Sequence, residues 1–182
     1  MRCIGIVDKR SIIMMKLRPY EKGDAESVLS WIDDEASFRK WSADRYSDYP
    51  ITAEDMNEYY AENSNHFVFT ALDDNKLAGH MIMRYIDESK RIIRFGFIIV
   101  DSKKRGKGYG KQMLTIALKY VFEELKVNKV TIGVFENNPA AVHCYTSLGF
   151  QHMEEKDESI DIMGEKWKCL EMELSREDYE QK

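Results

Sequence analysis

A long apolar segment followed directly by a basic, glycine-rich turn dominates the sequence: residues 91–112 read RIIRFGFIIVDSKKRGKGYGKQ. Arg91–Val100 is almost continuously apolar, which is typical of a buried central strand. Gly96 lies inside it, where a glycine indicates a bulge or the close approach of a ligand to the backbone. Apolar residues then recur at helical spacing from Met113 to Leu125, so the turn is predicted to join a strand to a helix.

The turn has the chemistry of a phosphate-binding site. The glycines of Arg105–Gly110 allow a tight bend that exposes successive backbone N–H groups. The following helix adds the unpaired donors and the positive dipole of its N-terminus. With the side chains of Arg105, Lys107 and Lys111, this turn is predicted to bind a pyrophosphate. An ordinary glycine-rich turn between a strand and a helix is the alternative.

Two other phosphate motifs do not fit this turn. A P-loop has the pattern G-x-x-x-x-G-K-[ST], whereas three residues separate Gly106 from Gly110 and Gln112 follows Lys111. The dinucleotide fingerprint G-x-G-x-x-G fails as well, because the glycines here alternate at Gly106, Gly108 and Gly110.

The basic turn contrasts with an acidic chain. The 182 residues carry a net charge of −5, and the turn holds Lys103, Lys104, Arg105, Lys107 and Lys111. A compact basic cluster suits a small polyanion better than a nucleic-acid duplex, which requires a broad basic face. A solvated turn is the alternative explanation of the cluster.

The elements before the central strand predict helices and then a run of strands. Asp24 is expected to cap the first helix, and Thr52 with Asp55 forms a capping box for a later one. A second short helical segment holds Phe38 and Trp41. The predicted strands are Ile12–Arg18, His66–Leu72, Leu77–Ile86 and Arg91–Val100.

The elements after the turn complete a mixed sheet. A strand at Val130–Phe135 precedes a helix that Gly149 ends. A final hairpin is predicted near Gly164, from strands at Gln151–Glu155 and Trp167–Leu174. Strands and helices do not alternate regularly along the chain, which predicts a mixed α/β fold rather than a doubly wound one.

Length and composition indicate one domain, which we place at residues 15–176. Residues 1–14 are an extension or an extra strand, and residues 177–182 a tail. No apolar run approaches the ~20 residues of a membrane span, so no membrane association is expected. The cysteines Cys3, Cys144 and Cys169 show no CxxC spacing, which argues against a metal site or disulfide framework and fits the cytoplasm.

A second motif identifies a family. Residues 138–145 read NPAAVHCY and residues 148–150 read LGF. Together with R-x-x-G-x-G after a strand that ends in Val-Asp, they resemble the GNAT superfamily of acyl-CoA-dependent N-acetyltransferases. The resemblance covers Met15–Leu174 and is clearest over Ile92–Phe150. Residues 30–46, SWIDDEASFRKWSADRY, are more similar to the bacterial branch that includes ribosomal-protein N-terminal acetyltransferases.

The resemblance implies a mostly antiparallel sheet flanked by helices, in which two central strands splay apart to form a slot for acetyl-CoA as co-substrate. Backbone groups of the central strand would pair with the pantetheine arm, and a bulge at Gly96 would help open the slot. The turn would hold the pyrophosphate, and Asn138 would bond the pantetheine or thiol region. The implied acetyl-CoA-binding residues are Ile98, Ile99, Val100, Arg105, Gly106, Lys107, Gly108, Tyr109, Gly110, Lys111 and Asn138.

The resemblance also implies a catalytic role for Tyr145, as the general acid that protonates the departing CoA thiolate. A backbone N–H near Ile98 would stabilise the tetrahedral oxyanion. Because Ala141 and Leu148 share the helix face of Tyr145, core packing is the alternative role for this residue.

The sequence departs from the family pattern at the positions where a general base is expected. Many members carry a glutamate on the central strand, where this chain has Arg94, and a second position used on the next strand is Gly133. Arginine cannot accept a proton at neutral pH. Either a water chain removes the amine proton, or another residue serves, the candidates being His80, Glu136 and Asp101.

The acceptor is expected to be the primary amine of a small molecule or of a peptide N-terminus. Four aromatic residues and one arginine of the N-terminal helical region are candidates for lining its site, although core packing explains the aromatic spacing equally well. These candidates are Trp41, Arg45, Tyr46, Tyr59 and Tyr60. A non-catalytic acyl-CoA sensor is the rival function, and self-association as a homodimer stays open.

Overall fold

A computed structural model of the protein describes residues 4–5, 15–63 and 65–181, which form nine strands and six α-helices. The strands are β1 (Ile4–Gly5), β2 (Met15–Pro19), β3 (His66–Asp73), β4 (Lys76–Tyr85), β5 (Ile92–Val100), β6 (Lys129–Phe135), β7 (Gln151–His152), β8 (Glu158–Ile162) and β9 (Glu165–Ser175). The helices are α1 (Ala25–Leu29), α2 (Glu35–Ser42), α3 (Ala53–Glu62), α4 (Tyr109–Lys119), α5 (Pro139–Ser147) and α6 (Arg176–Glu180).

The strands form one mixed sheet in the order β1-β2-β3-β4-β5-β6-β9-β7, and β8 also pairs with β9. Only the β5–β6 pair is parallel among the described strands. A parallel pair requires a crossover, which α4 supplies between β5 and β6. The predicted α/β fold with a mostly antiparallel sheet is confirmed.

The two faces of the sheet carry separate apolar clusters. Met81 and Met83 of β4 pack in the cluster that includes Leu114 of α4, whereas Ile82 packs with Phe38 of α2. Successive side chains of a strand point to opposite faces. Helices α4 and α5 therefore cover one face, and α1–α3 cover the other.

A bulge interrupts the central strand. His80 pairs with Ile99 but Ile82 pairs with Gly96, so one residue of β4 lies opposite two residues of β5. Phe97 has a φ of 49°, an unusual value for an aromatic residue. The bulge predicted at Gly96 is therefore centred on its neighbour Phe97. The extra residue turns Phe97 and Ile99 toward α1–α3, although Phe95 faces α4.

The two parallel strands separate beyond the bulge. Their pairing runs from Ile92 with Lys129 to Phe95 with Ile132 and then stops, although β5 continues to Val100 and β6 to Phe135. The diverging strands form the predicted slot in the middle of the sheet. Over residues 96–100, the edge of β5 that faces β6 therefore pairs with no described strand.

The N-terminal helices agree with the sequence except at Asp24. Thr52 and Asp55 form the predicted capping box of α3. Asp24 precedes α1, but its carboxylate does not cap this helix. It accepts hydrogen bonds from the Arg18 guanidinium at 2.7 and 2.8 Å, from the Thr70 hydroxyl at 2.7 Å and from the Glu21 N–H at 3.0 Å. Asp24 thus joins β2 and β3 to the start of the helical layer.

The C-terminal strands differ from the prediction. Gly164 does turn a hairpin, but its first strand is β8, while Gln151–His152 forms the separate strand β7 on β9. Gly149 has a φ of 89° directly after α5, as expected for the residue that ends a helix. In the segment expected to be a tail, α6 carries Tyr179, whose ring stacks on Phe122 at 4.6 Å.

The N-terminal prediction falls mostly outside the described residues. Only β1, which pairs antiparallel with β2, is described within residues 1–14. Among the residues that the structure describes, every helix is too short or too polar to span a bilayer.

Replacing Asp24 by Asn is expected to lower the free energy of unfolding at pH 7 by about 3 kcal/mol, because the Arg18 guanidinium then loses the buried carboxylate of its closest ion pair. Its contact with the exposed Glu21 is longer, at 3.7 Å. Burial would raise the pKa of Asp24, but hydrogen bonds from Arg18 and Thr70 outweigh it and hold the pKa below its usual value. Its contribution is therefore present above the unfolded-state pKa of ~3.9 and is lost at lower pH.

Urea unfolding at pH 7 and pH 3 tests this expectation, and the difference between the two proteins should shrink at pH 3. Asp161→Asn is the control, since Asp161 is exposed in an ion pair at 3.8 Å with Lys166. A loss no larger than that of the control would contradict the assignment.

Candidate active site

A cavity of about 730 Å³ opens where β5 and β6 diverge. Its walls are β5, β6, the basic turn with the first residues of α4, helix α5, and the segment between α1 and α2. A cavity of this size is in the range of small-molecule and cofactor sites. It contains eleven of the twelve predicted site residues: Ile98, Ile99, Val100, Arg105, Gly106, Gly108, Tyr109, Gly110, Lys111, Asn138 and Tyr145.

The unpaired edge of β5 presents backbone groups to this cavity. Among the described residues, only two of its carbonyl oxygens accept from side chains: Phe97 accepts from the Trp41 indole N–H at 2.9 Å, and Val100 accepts from Arg105 Nε at 3.2 Å. An extended ligand laid along the edge can therefore form strand-like hydrogen bonds with the intervening residues.

The glycine turn has the conformation that a phosphate cradle needs. Gly106 and Gly108 have φ values of 73° and 84°, in the left-handed region that favours glycine. Helix α4 begins at Tyr109, so its free N–H groups start at the turn. The Tyr109 hydroxyl donates to Asp73 at 2.7 Å, and Lys104 forms an ion pair with the same carboxylate at 3.2 Å. These bonds attach the turn to the end of β3.

The three basic side chains predicted to bind phosphate differ from one another in whether they line the cavity and in the contacts they make. Lys111 lines the cavity and makes no ion pair among the described residues. Arg105 also lines it, but its guanidinium donates to the Trp31 carbonyl and to Asp33, which ties the turn to the segment after α1. Lys107 lies outside the lining and donates to the Lys103 carbonyl at 2.9 Å. The backbone N–H groups and Lys111 thus remain for an anion.

Helix α5 brings Asn138 and Tyr145 to the opposite wall. The Asn138 side chain caps this helix by accepting from the Ala141 N–H at 3.3 Å, a structural role that the motif did not reveal. Tyr145 is 6% exposed, and its hydroxyl makes no hydrogen bond to the described residues. Burial raises the pKa of Tyr145 above its ordinary value, so the phenol keeps its proton at neutral pH.

Comparison with known proteins assigns the family. The profile of the acetyltransferase (GNAT) family matches residues 27–150, which is more than half of the chain. The chain belongs to the GNAT acetyltransferase family. It is an N-acetyltransferase that uses acetyl-CoA as its co-substrate.

Several relatives are named for one reaction. The chain is 25% identical to spermidine N(1)-acetyltransferase of Escherichia coli K12 over 165 residues, covering 91% of this chain and 88% of that one. It is 26% identical to the enzyme of the same name from Vibrio cholerae over 136 residues, covering 75% and 78% of the two chains. Neither carries the name of a ribosomal-protein acetyltransferase, so resemblance to that branch stays a prediction.

A solved structure shares the fold. The spermidine N-acetyltransferase of V. cholerae in complex with CoA and spermine has a TM-score of 0.77 and 24% identity, covering 91% of this chain and 97% of that one. At this identity the likeness shows the fold alone.

None of the three candidate bases of this GNAT chain lines the cavity. His80 is fully buried, its Nε2 lies 2.7 Å from the Tyr60 hydroxyl, and burial lowers its pKa to about 3. It is a neutral structural histidine. Glu136 is exposed, and Asp101 accepts from the Lys103 N–H at 3.0 Å. Among the described lining residues none is an aspartate or glutamate, and the only histidine is His143.

Arg94 and Gly133 are linked in the structure. A Cβ built on Gly133 would lie 2.6 Å from the Arg94 Nη2, so the guanidinium occupies the place of a side chain there. Arg94 donates to both Glu171 oxygens, at 2.5 and 2.9 Å, and to the Thr131 hydroxyl at 3.3 Å. An ion pair therefore occupies the position at which the family resemblance leads one to expect a carboxylate base. No pattern in the sequence indicated that Arg94 pairs with Glu171.

Of the predicted acceptor-site aromatics, only Trp41 lines the cavity. Tyr46, Tyr59 and Tyr60 pack around Phe97 in the apolar cluster of α1–α3, with ring centroids 5.5 to 6.2 Å from it. Ser37 and Lys40 of α2 line the wall beside Trp41. The sequence did not indicate either residue, because the helical pattern of this segment was recognised from its apolar residues alone.

Replacing Trp41 by Phe should remove the bond to Phe97 while keeping most of the ring contact. A buried carbonyl without a donor costs about 2 kcal/mol, so the free energy of unfolding should fall by that amount. Trp167→Phe is the matched control, because Trp167 packs edge-on against Phe135 and its N–H has no protein partner among the described residues. Urea unfolding measures both, and equal losses would contradict a role for the indole N–H.

Proposed function

We propose that this enzyme transfers the acetyl group directly from acetyl-CoA to a primary amine, with both substrates bound in the cavity between β5 and β6. The pantetheine arm would lie along the unpaired edge of Ile98–Val100. The pyrophosphate would lie on the N–H groups of Gly106–Lys111, with Lys111 as the free cation. The observation that best supports this proposal is that one cavity is lined by an unpaired strand edge, by a glycine turn at the N-terminus of α4 and by the buried phenol of Tyr145.

In this reaction the amine nitrogen attacks the thioester carbonyl carbon and forms a tetrahedral oxyanion. A backbone N–H near Ile98 would stabilise the oxyanion. The C–S bond then breaks, and its electron pair leaves on sulfur. Tyr145 would donate its hydroxyl proton to this thiolate. Burial raises the pKa of Tyr145, so the phenol still holds its proton at neutral pH when the thiolate forms.

The amine proton has no carboxylate acceptor in the described lining. An alkylamine with a pKa near 10.4 reaches the site almost entirely protonated at pH 7, whereas an α-amine of pKa ~7.7–8.0 is partly free. We infer that water removes the proton and that the free-amine fraction limits the rate. A peptide N-terminus or another weakly basic amine fits such a site more easily than a lysine side chain.

A polyamine is the second candidate acceptor, favoured by the relatives named as spermidine N-acetyltransferases. Three carboxylates, Asp33, Asp34 and Glu35, lie in sequence between the lining residues Ile32 and Ser37. Each is engaged: Asp33 with Arg105, Asp34 in capping α2 through the Ser37 N–H, and Glu35 with Arg39. Binding a polyamine there would require these contacts to be exchanged.

A non-catalytic acyl-CoA sensor would bind acetyl-CoA and release no thiol with any amine. Release of free CoA in the presence of an amine panel separates this rival from the enzyme. A cytoplasmic location and self-association as a homodimer stay predictions.

Gly108→Asp is expected to abolish acetyl-CoA binding in calorimetry, because a side chain and a negative charge would face the pyrophosphate. Gly164→Asp is the matched control: Gly164 has a φ of 78°, close to that of Gly108, and a Cβ there also meets no atom within 4 Å. The two variants therefore share the same backbone strain. Equal affinity in both would remove the turn from the CoA site.

Tyr145→Phe should bind acetyl-CoA normally but transfer acetyl at a rate about tenfold or more below that of the parent, since general acid catalysis commonly contributes ~10²–10⁴-fold. The ring and its contact with Phe150, at 6.2 Å between centroids, are kept. Tyr120→Phe is the control, because Tyr120 packs against Phe69 away from the cavity. An unchanged kcat in Tyr145→Phe would show that the thiolate leaves without this acid.

The pH profile of kcat/KM tests the absence of a base. With an alkylamine acceptor the rate should rise through pH 7 to 9, and with an α-amine it should level off near pH 8 as the free amine saturates. His143→Gln, Glu136→Gln and Asp101→Asn should leave both profiles in place. A plateau near pH 6 to 7 that disappears in one of these variants would identify a dedicated base.

A further inference from the structure

Three basic side chains meet on one face of the sheet beside the cavity. His66, Arg84 and Arg94 are direct cross-strand partners on β3, β4 and β5, so their side chains share a face. Arg45, from the segment between α2 and α3, is near enough to affect the pKa of both Arg84 and His66. Arg45, Arg84 and Arg94 are called the arginine cluster below.

The arginine cluster lacks one counter-ion. Arg94 is paired with Glu171, and Arg45 with its neighbour Asp44 at 3.3 Å. The half-buried guanidinium of Arg84 makes no hydrogen bond or ion pair with any described residue, and the nearby Tyr59 opposes the lowering of its pKa only weakly. Burial lowers the pKa of Arg84, and the charges of Arg94 and Arg45 add to this effect. The His66 Nδ1 beside it is buried and has no partner among the described residues either.

Such an arrangement destabilises the protein in the absence of a ligand. Like charges on directly opposed strand positions repel each other, and a half-buried cation loses hydration without gaining a partner. Arginine presents a planar fork of donors that matches the two oxygens of a carboxylate or a phosphate. The free fork of Arg84 is therefore suited to an oxyanion that the protein itself does not supply.

The cluster lies at the end of the cavity where the strands begin to diverge. Arg94 is two residues before Gly96, which is about 7 Å along a strand, and its guanidinium lies against Gly133. Both glycines line the cavity. The arginines themselves lie outside the lining. A small amine at the thioester that extends past Gly96 and Gly133 along this face would bring its far end to Arg94 and its strand partner Arg84.

We propose that the acceptor carries an oxyanion group, a carboxylate or a phosphate, that Arg84 and Arg45 bind while its amine faces the thioester. This inference rests on the proposed acetyl transfer and narrows its acceptor to a small amine with an anionic end. It disfavours a polyamine, because a second cationic nitrogen would face three arginines.

Acetylation of matched acceptors tests the proposal. ω-Amino acids of increasing length are compared with their primary amides and with diamines of the same length, and O-phosphoethanolamine with ethanolamine, at constant ionic strength. The best carboxylate or phosphate should exceed its neutral partner in kcat/KM by about tenfold or more, as expected for bonds to a charged group. The series with the higher kcat/KM shows whether the acceptor carries a carboxylate or a phosphate.

Arg84→Gln should abolish this preference, so that kcat/KM for the carboxylates and phosphates falls to the level of their neutral partners while the KM for acetyl-CoA stays the same. Arg84→Lys should restore part of it, because the charge remains but the fork is lost. Arg45→Gln is a second variant at a side chain 53% exposed, where folding is not at risk. Arg91→Gln is the control, since Arg91 is an exposed arginine that contacts Asn128 on the same sheet.

Calorimetry with the same compounds on the CoA-bound protein separates binding from transfer. One result would support the site but contradict the proposed function: the oxyanion compounds bind, Arg84→Gln abolishes this binding, and no amine is acetylated. Equal transfer to amides, diamines and carboxylates, unchanged in Arg84→Gln, would overturn the site and leave acetyl transfer standing. Failure of every oxyanion compound to bind would also overturn it.

Discussion

The hydrogen bond from the Trp41 indole to the Phe97 carbonyl joins the helical layer to the one irregular point of the central strand. At this point β5 holds one residue more than its partner, and the aromatic residue there adopts a left-handed conformation. Such a backbone persists only where the surroundings over-determine it. Here the rings of Trp41, Tyr46, Tyr59 and Tyr60 surround Phe97 and keep it on the side of α1–α3.

The slot between the strands depends on this bulge. Because the extra residue changes the face to which each later side chain points, β5 leaves β6 after Phe95 and presents its own edge to the cavity. The same departure places the glycine turn at the end of the strand, in front of α4. The strand edge, the turn and α5 can therefore hold one extended co-substrate. The described lining then holds the phenol of Tyr145, which we propose as the acid, but no carboxylate that could act as a base.

Much of this arrangement could be predicted from the sequence because short motifs encode it. The alternation of glycines before α4 requires left-handed backbone that Gly106 and Gly108 do adopt, and the spacing of Asn138 and Tyr145 places both on one helix. The bulge position was missed by one residue, because a glycine marks local freedom and not the register of the partner strand. The first strand of the last hairpin was misplaced because β7 and β8 both pair with β9.

Contacts between distant segments could not be predicted. The guanidinium of Arg105 turns away to Trp31, 74 residues earlier, and the pairing of Arg94 with Glu171 spans 77 residues. Neither leaves a local pattern in the sequence. The free charge of Arg84 is likewise visible only when the partners of its neighbours are known.

Amide hydrogen exchange of residues 97–100 with and without acetyl-CoA tests the central claim most directly, namely that the co-substrate pairs with the open edge of β5. Exchange in this segment should slow about tenfold or more when acetyl-CoA saturates the protein, as new backbone hydrogen bonds form. Residues 158–162 of β8, none of which lines the cavity, should exchange at the same rate in both states. Unchanged exchange at residues 97–100, under conditions where calorimetry shows acetyl-CoA bound, would contradict the account.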